Sequence, residues 1–158
     1  MLFRSDELHG SGAVKVEPVN FIAAKTELDA AFAHLSEELA TECWRDYEHK
    51  LRRWEEQREI IAGFIREWPT YRTELRELVR PPSVIAQGLV VAGSAATFAE
   101  LDPSVDEDLA FWAVRNCAMM RNRLTAVDML TLLGFWDDEA AVRVIAKATA
   151  FAGVGDRR

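Results

Sequence analysis

The side chains in this sequence that could do metal or acid–base chemistry are few and widely spaced. The histidines are His9, His34 and His49, and the cysteines are Cys43 and Cys117. A catalytic zinc site needs about three converging protein ligands, and the sequence has neither a His-Glu-x-x-His helix nor a Cys-x-x-Cys turn. It also lacks a glycine-rich phosphate-binding loop. We therefore expect no self-sufficient active site in this chain.

His9 differs from the other two histidines in its neighbours. It precedes a Gly-Ser-Gly run at residues 10–12, immediately before a helical pattern. Imidazole is a good ligand for zinc or iron, and a neighbouring glycine lets the backbone approach a site closely. His9 is therefore a candidate metal ligand, and the alternative is an ordinary structural histidine. We interpret His34 and His49 as surface or boundary residues.

Arg121 and Arg123 form a basic joint between two apolar helical patterns. The guanidinium fork suits a phosphate or a carboxylate, so the pair could hold an anionic group. The alternative is that they form ion pairs with Asp128 or with acids on a neighbouring helix. The five tryptophans fall at apolar positions and are interpreted as core or interface anchors. The two cysteines are interpreted as buried thiols in a reducing compartment.

The composition is that of one ordinary globular domain. The chain has 158 residues, of which 49% are hydrophobic and 28% charged. Its net charge of −7 argues against nucleic acid or an anionic membrane as a general partner. Nothing approaches the roughly 18 uninterrupted apolar residues of a membrane span, and the first residues do not resemble a signal peptide. We therefore expect a cytoplasmic protein.

The hydrophobic spacing predicts an all-α fold, an irregular bundle of about six helices without strands. Residues 13–152 are predicted to form one helical domain. Residues 1–12 form an irregular lead-in that resembles the remnant of a longer chain, and residues 153–158 form a frayed tail. The longest helix is predicted over 36–68, with Ser36 as its cap and Lys50 among the charged residues of its outer face.

Shorter signals place the remaining elements. Phe98 and Leu101 are expected to fill the core from a loop, and Asp102 followed by proline is expected to start a helix. Thr125 and Asp128 have the spacing of an acidic capping box. Gly134 is expected to end that helix in a left-handed conformation.

Residues 75–134 resemble the C-terminal helical domain of bacterial sn-glycerol-1-phosphate dehydrogenases. These enzymes belong to the iron-containing alcohol dehydrogenase and dehydroquinate synthase-like superfamily. The resemblance rests on a proline-containing helix start at 81–82, an Ala-Gly turn at 92–93, a Glu-Leu-Asp entry at 100–102, Met-Arg-Asn-Arg at 120–123, Thr-x-x-Asp at 125–128 and Leu-Gly at 133–134. The family more usually has an acid at Asn122 and an aromatic residue at Leu124. A Leu-His-Gly segment at residues 8–10 also resembles the family's last metal-ligand segment.

The resemblance implies the metal-site half of an NAD(P)-dependent oxidoreductase acting on dihydroxyacetone phosphate or glycerol 1-phosphate. It implies His9 as a ligand to zinc, iron or nickel, with the other ligands and the α/β cofactor half lying upstream. A small phosphorylated polyol or ketone would then be the substrate of the complete enzyme, and this chain alone would be inactive and bind neither cofactor tightly. One alternative is a related dehydrogenase with another alcohol substrate. The other is a stand-alone helical interaction module, with a homo-oligomer possible, whose partner face lies on the 36–68 helix.

Overall fold

The computed structural model describes residues 15–153, and every regular element among them is a helix. The all-α prediction is therefore confirmed for this range. The predicted lead-in at 1–12, and all but the first residue of the predicted tail at 153–158, lie outside it. The α-helices are α1 Phe21–Phe32, α2 Glu37–Glu56, α3 Arg58–Arg66, α4 Trp68–Leu78, α5 Pro82–Val91, α6 Glu107–Asn116, α7 Ala126–Leu132 and α8 Asp138–Gly153. Short 3₁₀-helices span Phe98–Glu100 and Cys117–Met120.

The described residues divide into two compact units. The first, which we call the aromatic-core unit, comprises residues 15–66 and 115–137. The second, the alanine-core unit, comprises residues 67–114 and 138–153. Helix α6 begins in the alanine-core unit, and its last two residues belong to the aromatic-core unit.

The aromatic-core unit buries large side chains. Helix α1 packs on α2, and α2 also packs on the 3₁₀-helix Cys117–Met120. The apolar residues of α2 recur at three- and four-residue spacing, so they lie on one face and enter the core together. The large buried side chains of this unit are Leu28, Phe32, Tyr47, Leu51, Trp54, Ile61, Met119 and Trp136.

The alanine-core unit buries only small side chains. Its buried residues are Ala110, Ala140, Ala141 and Ala152, and its main helix pair is α5 against α8. No residue of α4 or α5 is buried. Its large side chains, Trp68, Phe111 and Trp112 among them, are only partly buried, so this unit gains less from burial than the aromatic-core unit.

Local capping predictions are confirmed at several helix ends. The Ser36 hydroxyl accepts a hydrogen bond from the Leu39 amide at 3.2 Å and so caps α2. Gly134 has a φ of +77°, the left-handed conformation predicted after α7. These features depend only on neighbouring residues, which is why the sequence identifies them.

The predicted continuous helix over residues 36–68 is wrong. Helix α2 ends at Glu56, Gln57 departs from helical geometry, and α3 begins at Arg58. The interruption falls in the seven-residue gap between Trp54 and Ile61, where the apolar stripe has no member. A helix without an inward-facing residue over two turns has little packing to hold it continuous.

Two further predictions in the loop before α6 are wrong. Phe98 and Leu101 are 36% and 42% exposed and therefore do not fill the core. The helix starts at Glu107 and not at Pro103, and the Asp106 carboxylate accepts a hydrogen bond from the Leu109 amide at 2.7 Å. Glu107 and Asp108 lie in the first turn, where their negative charges interact favourably with the helix dipole.

Among residues 15–153, none of the helices has both the length and the apolar character to cross a membrane.

Candidate functional site

The sequence-predicted site residues are not brought together in the part of the chain that the structure describes. His9, the candidate metal ligand, lies outside that part. His34 and His49 are exposed, as predicted. Across residues 15–153, no group of three or more His, Cys, Asp or Glu side chains is arranged to hold a metal ion. Cys43 is buried, as predicted, whereas Cys117 is exposed, which corrects the second half of that prediction.

The predicted pairing of Arg121 or Arg123 with Asp128 is wrong. Both arginines are exposed, whereas Asp128 is buried. The Asp128 carboxylate is instead bound by Lys50 and Thr125. The basic joint therefore remains on the surface of the aromatic-core unit, and a buried polar centre lies beneath it.

The polar centre consists of Lys50, Asp128, Thr125 and the carbonyl of Ala118. Lys50 is on α2, and its ammonium forms an ion pair with Asp128 Oδ1 and donates a hydrogen bond to the Ala118 carbonyl. The side chains of Lys50 and Asp128 are each only 1% exposed. Burying two charges is costly unless they pair and their remaining polar atoms are hydrogen-bonded. The ion pair, the hydrogen bond from Lys50 to Ala118 and the hydrogen bonds to Asp128 Oδ2 offset this cost, whereas Asp128 Oδ1 has only the ion pair with Lys50 among the described residues.

The second carboxylate oxygen of Asp128 completes the helix cap. Oδ2 accepts hydrogen bonds from the Thr125 amide and the Thr125 hydroxyl, both at 2.7 Å. The Asp128 amide in turn donates to Thr125 Oγ1 at 3.5 Å. This reciprocal arrangement confirms the capping box that the sequence predicts. One carboxylate therefore starts α7 and also binds it to α2.

Tyr47 borders the polar centre one helical turn before Lys50. The Lys50 ammonium lies 5.1 Å from the centroid of the Tyr47 ring, a cation–π distance. Burial, together with the negative charges of Glu27 and Asp128, raises the pKa of Tyr47 to about 12, against a smaller opposing effect of Arg115. Tyr47 is therefore a neutral phenol over the whole physiological range.

The electrostatics of the centre support a structural role for the ion pair. Burial lowers the pKa of Lys50, and the hydrogen bond and charge of Asp128 partly restore it. A lysine used as a base or nucleophile must lose its proton near neutral pH, and here the adjacent carboxylate opposes that loss. The arrangement joins the 117–128 segment to α2 and positions the surface residues between them.

Lys50 is the residue that the sequence interpretation placed wrongly. Its charge predicts a place on the outer face of the helix, yet it lies in the core. The core position is indicated by the helical register of Lys50. This residue stands three residues after Tyr47 and four before Trp54, on the apolar face of the helix. A lysine at a core position predicts a buried acid, but the sequence does not show which acid it is.

A second feature is an apolar patch on the alanine-core unit, formed by Leu78, Val79, Val84, Ile85 and Val91. Leu78 and Val91 are 78% and 79% exposed, and the other three are more than half exposed. Val84 and Val91 are seven residues apart and lie on one face of α5, and Ile85 lies about 100° around the helix from them. These five exposed apolar residues lie within fourteen positions of the sequence, a concentration that favours an interaction surface over singly scattered residues.

The surroundings of the patch carry no net charge. Residues 67–91 contain three glutamates and three arginines, and α5 contains no charged residue. This neutrality contrasts with the net charge of −7 over the whole chain. Long-range repulsion is therefore weakest where the apolar surface is most exposed.

Comparisons of the chain with protein-family models, curated proteins and solved structures find no match.

Proposed function

We propose that this chain is a helical interaction module that associates with a second copy of itself through the apolar patch. The observation that carries the proposal is the exposure of Leu78 and Val91 in a unit whose buried residues are alanines. Covering these side chains contributes about 25 cal/mol for each Å² of apolar area removed from water. The alanine-core unit has few other sources of such energy.

The charge distribution supports a second copy as the occupant. Two identical chains of net charge −7 repel one another, and the repulsion is weaker when they meet at a neutral surface. The patch is such a surface, because the acids and bases of residues 67–91 balance. A two-fold pairing also places the same patch on both sides, so that apolar residues meet apolar residues. The partner face is thus on α4 and α5 and not on the 36–68 segment, where Cys43, Tyr47, Leu51, Trp54 and Ile61 are buried.

Self-association is expected to depend on the patch and on protein concentration. We expect sedimentation or light scattering to show a monomer–dimer equilibrium for the native chain. Val91→Glu places a carboxylate in the interface and should weaken association at least about 100-fold, because an unpaired charge is costly to bury. Leu78→Glu should have a similar effect.

The matched control is Ile22→Glu. Ile22 is 82% exposed on α1, in the aromatic-core unit. Its replacement by glutamate introduces the same negative charge as Val91→Glu. This variant should associate like the native chain, and added chelator or His9→Ala should also leave association unchanged. A native chain that stays monomeric at all accessible concentrations, or a control as disruptive as Val91→Glu, would contradict the proposal.

A second candidate function is the metal-site half of a cytoplasmic glycerol-1-phosphate dehydrogenase-like enzyme. Local structure in the segment that carries the resemblance supports this candidate. A helix begins at Pro82, Gly93 has a φ of +68°, and Thr125 and Asp128 form the capping box. In this case the cofactor-binding α/β half would cover the apolar patch. His9 would be one ligand of a zinc, iron or nickel ion, and NAD(P) would supply the hydride chemistry when bound to the complete enzyme.

The dehydrogenase candidate makes a prediction about the coding region and about activity. We expect an in-frame segment upstream of codon 1 to encode a glycine-rich α/β half, and the longer product to oxidise glycerol 1-phosphate with NAD(P)⁺. The 158-residue chain alone should not do so. A stop codon and ribosome-binding site directly before Met1 would exclude this candidate, and unaided activity of the short chain would exclude a half-enzyme.

A further inference from the structure

A cavity of about 300 Å³ lies within the aromatic-core unit, beside the polar centre. Its walls come from α2, α3 and the 122–124 segment. This volume is at the lower end of the range for small-molecule sites in proteins. Its lining residues include Lys50, Arg53, Trp54, Ile61, Asn122 and Arg123.

The charges around the cavity are strongly one-sided. Three of its lining residues are cations, and none of its lining residues within 15–153 is acidic. The ion pair with Asp128 neutralises the charge of Lys50. Arg53 donates a hydrogen bond to the Asn122 carbonyl, and neither it nor Arg123 forms an ion pair with a carboxylate of the described residues. Two uncompensated guanidinium groups therefore remain at one cavity in a chain of net charge −7.

Part of the cavity wall is buried. Trp54 is 2% exposed and forms part of the wall, and its indole Nε1–H has no hydrogen-bond partner among residues 15–153. Ile61, which is buried, adds an apolar surface next to it. Arg53 and Arg123 share the exposed part of the lining with Gln57, Asn122 and Leu124, and the buried part is formed by Lys50, Trp54 and Ile61.

From this arrangement we infer that the cavity binds a small organic oxyanion, a phosphate or carboxylate with a compact apolar part. The planar guanidinium groups of Arg53 and Arg123 bind the oxygens, since their forked donors match such groups in pairs. Trp54 and Ile61, which form part of the wall, pack against the apolar part. The Lys50 ammonium contributes a fixed positive charge that Asp128 holds in place.

The inference is tested on the full chain with inorganic phosphate and acetate as probes, at constant ionic strength. Indole N–H signals of the five tryptophans are followed by NMR, and the Trp54 signal is identified with Trp54→Phe. We expect a saturable shift of the Trp54 signal with phosphate, acetate or both. The tighter of the two probes assigns the oxyanion class.

Two pairs of neighbouring arginines provide matched controls. Arg123→Ala should weaken binding about tenfold or more, because a hydrogen bond to a charged group is lost. Arg121→Ala removes a similarly exposed cation that does not line the cavity and should have little effect. Arg53→Ala is a second test variant, and Arg52→Ala is its control. Arg52 forms an ion pair with Glu48 on the outer face and does not line the cavity.

Three results would overturn the inference. One is a response to chloride equal to that of both probes, which would indicate general screening. Another is equal loss of binding in Arg123→Ala and Arg121→Ala. The third is a Trp54 signal that does not move while the native chain remains folded.

Discussion

Replacing Asp128 with alanine will lower the free energy of unfolding by about 3–5 kcal/mol, the cost of leaving one member of a buried ion pair alone. The variant exposes no new surface, but it removes the partner of the Lys50 ammonium, whose side chain is 1% exposed. It also removes the acceptor for the Thr125 amide and hydroxyl. Urea unfolding followed by circular dichroism measures the loss.

Two comparisons separate the charge from the cap. Asp128→Asn keeps an oxygen that can accept from Thr125 and removes only the negative charge, so it should recover part of the loss. Thr125→Ala removes only the capping side chain and should cost about 1 kcal/mol. If Lys50→Met is combined with Asp128→Asn, most of the stability should return, because no charge is then buried.

An exposed pair of the same two residue types serves as the control. Lys25 and Asp29 form an ion pair on α1 with side chains 42% and 52% exposed. Asp29→Ala should cost less than about 1 kcal/mol, since water screens such pairs. Equal losses of unfolding free energy in Asp29→Ala and Asp128→Ala would show that the buried ion pair contributes no more to stability than the exposed one.

The loss in Asp128→Ala should also depend on pH. Burial already lowers the pKa of Lys50 from its ordinary 10.5, and removing Asp128 removes the interactions that oppose this. The folded variant then releases the Lys50 proton at a lower pH than the unfolded chain. Since the unfolded state holds more protons in this window, stability rises with pH. The difference from native should therefore shrink as the pH is raised toward 10.5.

The polar centre contains one interaction that the sequence predicts and one that it does not. The capping box of Thr125 and Asp128 follows from the sequence because its members are three residues apart and helix starts obey local rules. The bond to Lys50 does not follow, because it joins residues that only the packing of α2 against the 117–128 segment brings together. The sequence could place a lysine in the core by its register, but it could not choose among 26 acidic partners.

The same distinction explains the errors in the helix assignments. Spacing identifies a helical segment well, so all-α is correct for the described residues. Spacing does not show which residues of a helix contact other parts of the fold. Phe98 and Leu101 are apolar residues in a loop, and their exposure depends on tertiary contacts absent from the pattern. The break at Gln57 was visible as the gap between Trp54 and Ile61, although the charged residues there are good helix formers.

Backbone amides in the two units will exchange with solvent at very different rates. Amides of α2 should exchange at least about 100-fold more slowly than hydrogen-bonded amides of α4, because regions with few buried apolar contacts open locally at a lower free energy. Helix α2 buries Tyr47, Leu51 and Trp54, whereas no residue of α4 is buried. Hydrogen exchange measured residue by residue on the native chain tests this difference.

Hydrogen exchange measured at several protein concentrations also tests the apolar patch. A second copy that covers α4 and α5 removes their side chains from water, so their protection should rise with concentration while that of α2 stays constant. In Val91→Glu the protection of α5 should not depend on concentration. Uniform protection in both units at every concentration would mean that the alanine-core unit is as stable as its neighbour without a partner. The exposed side chains of Leu78 and Val91 would then contribute nothing to association.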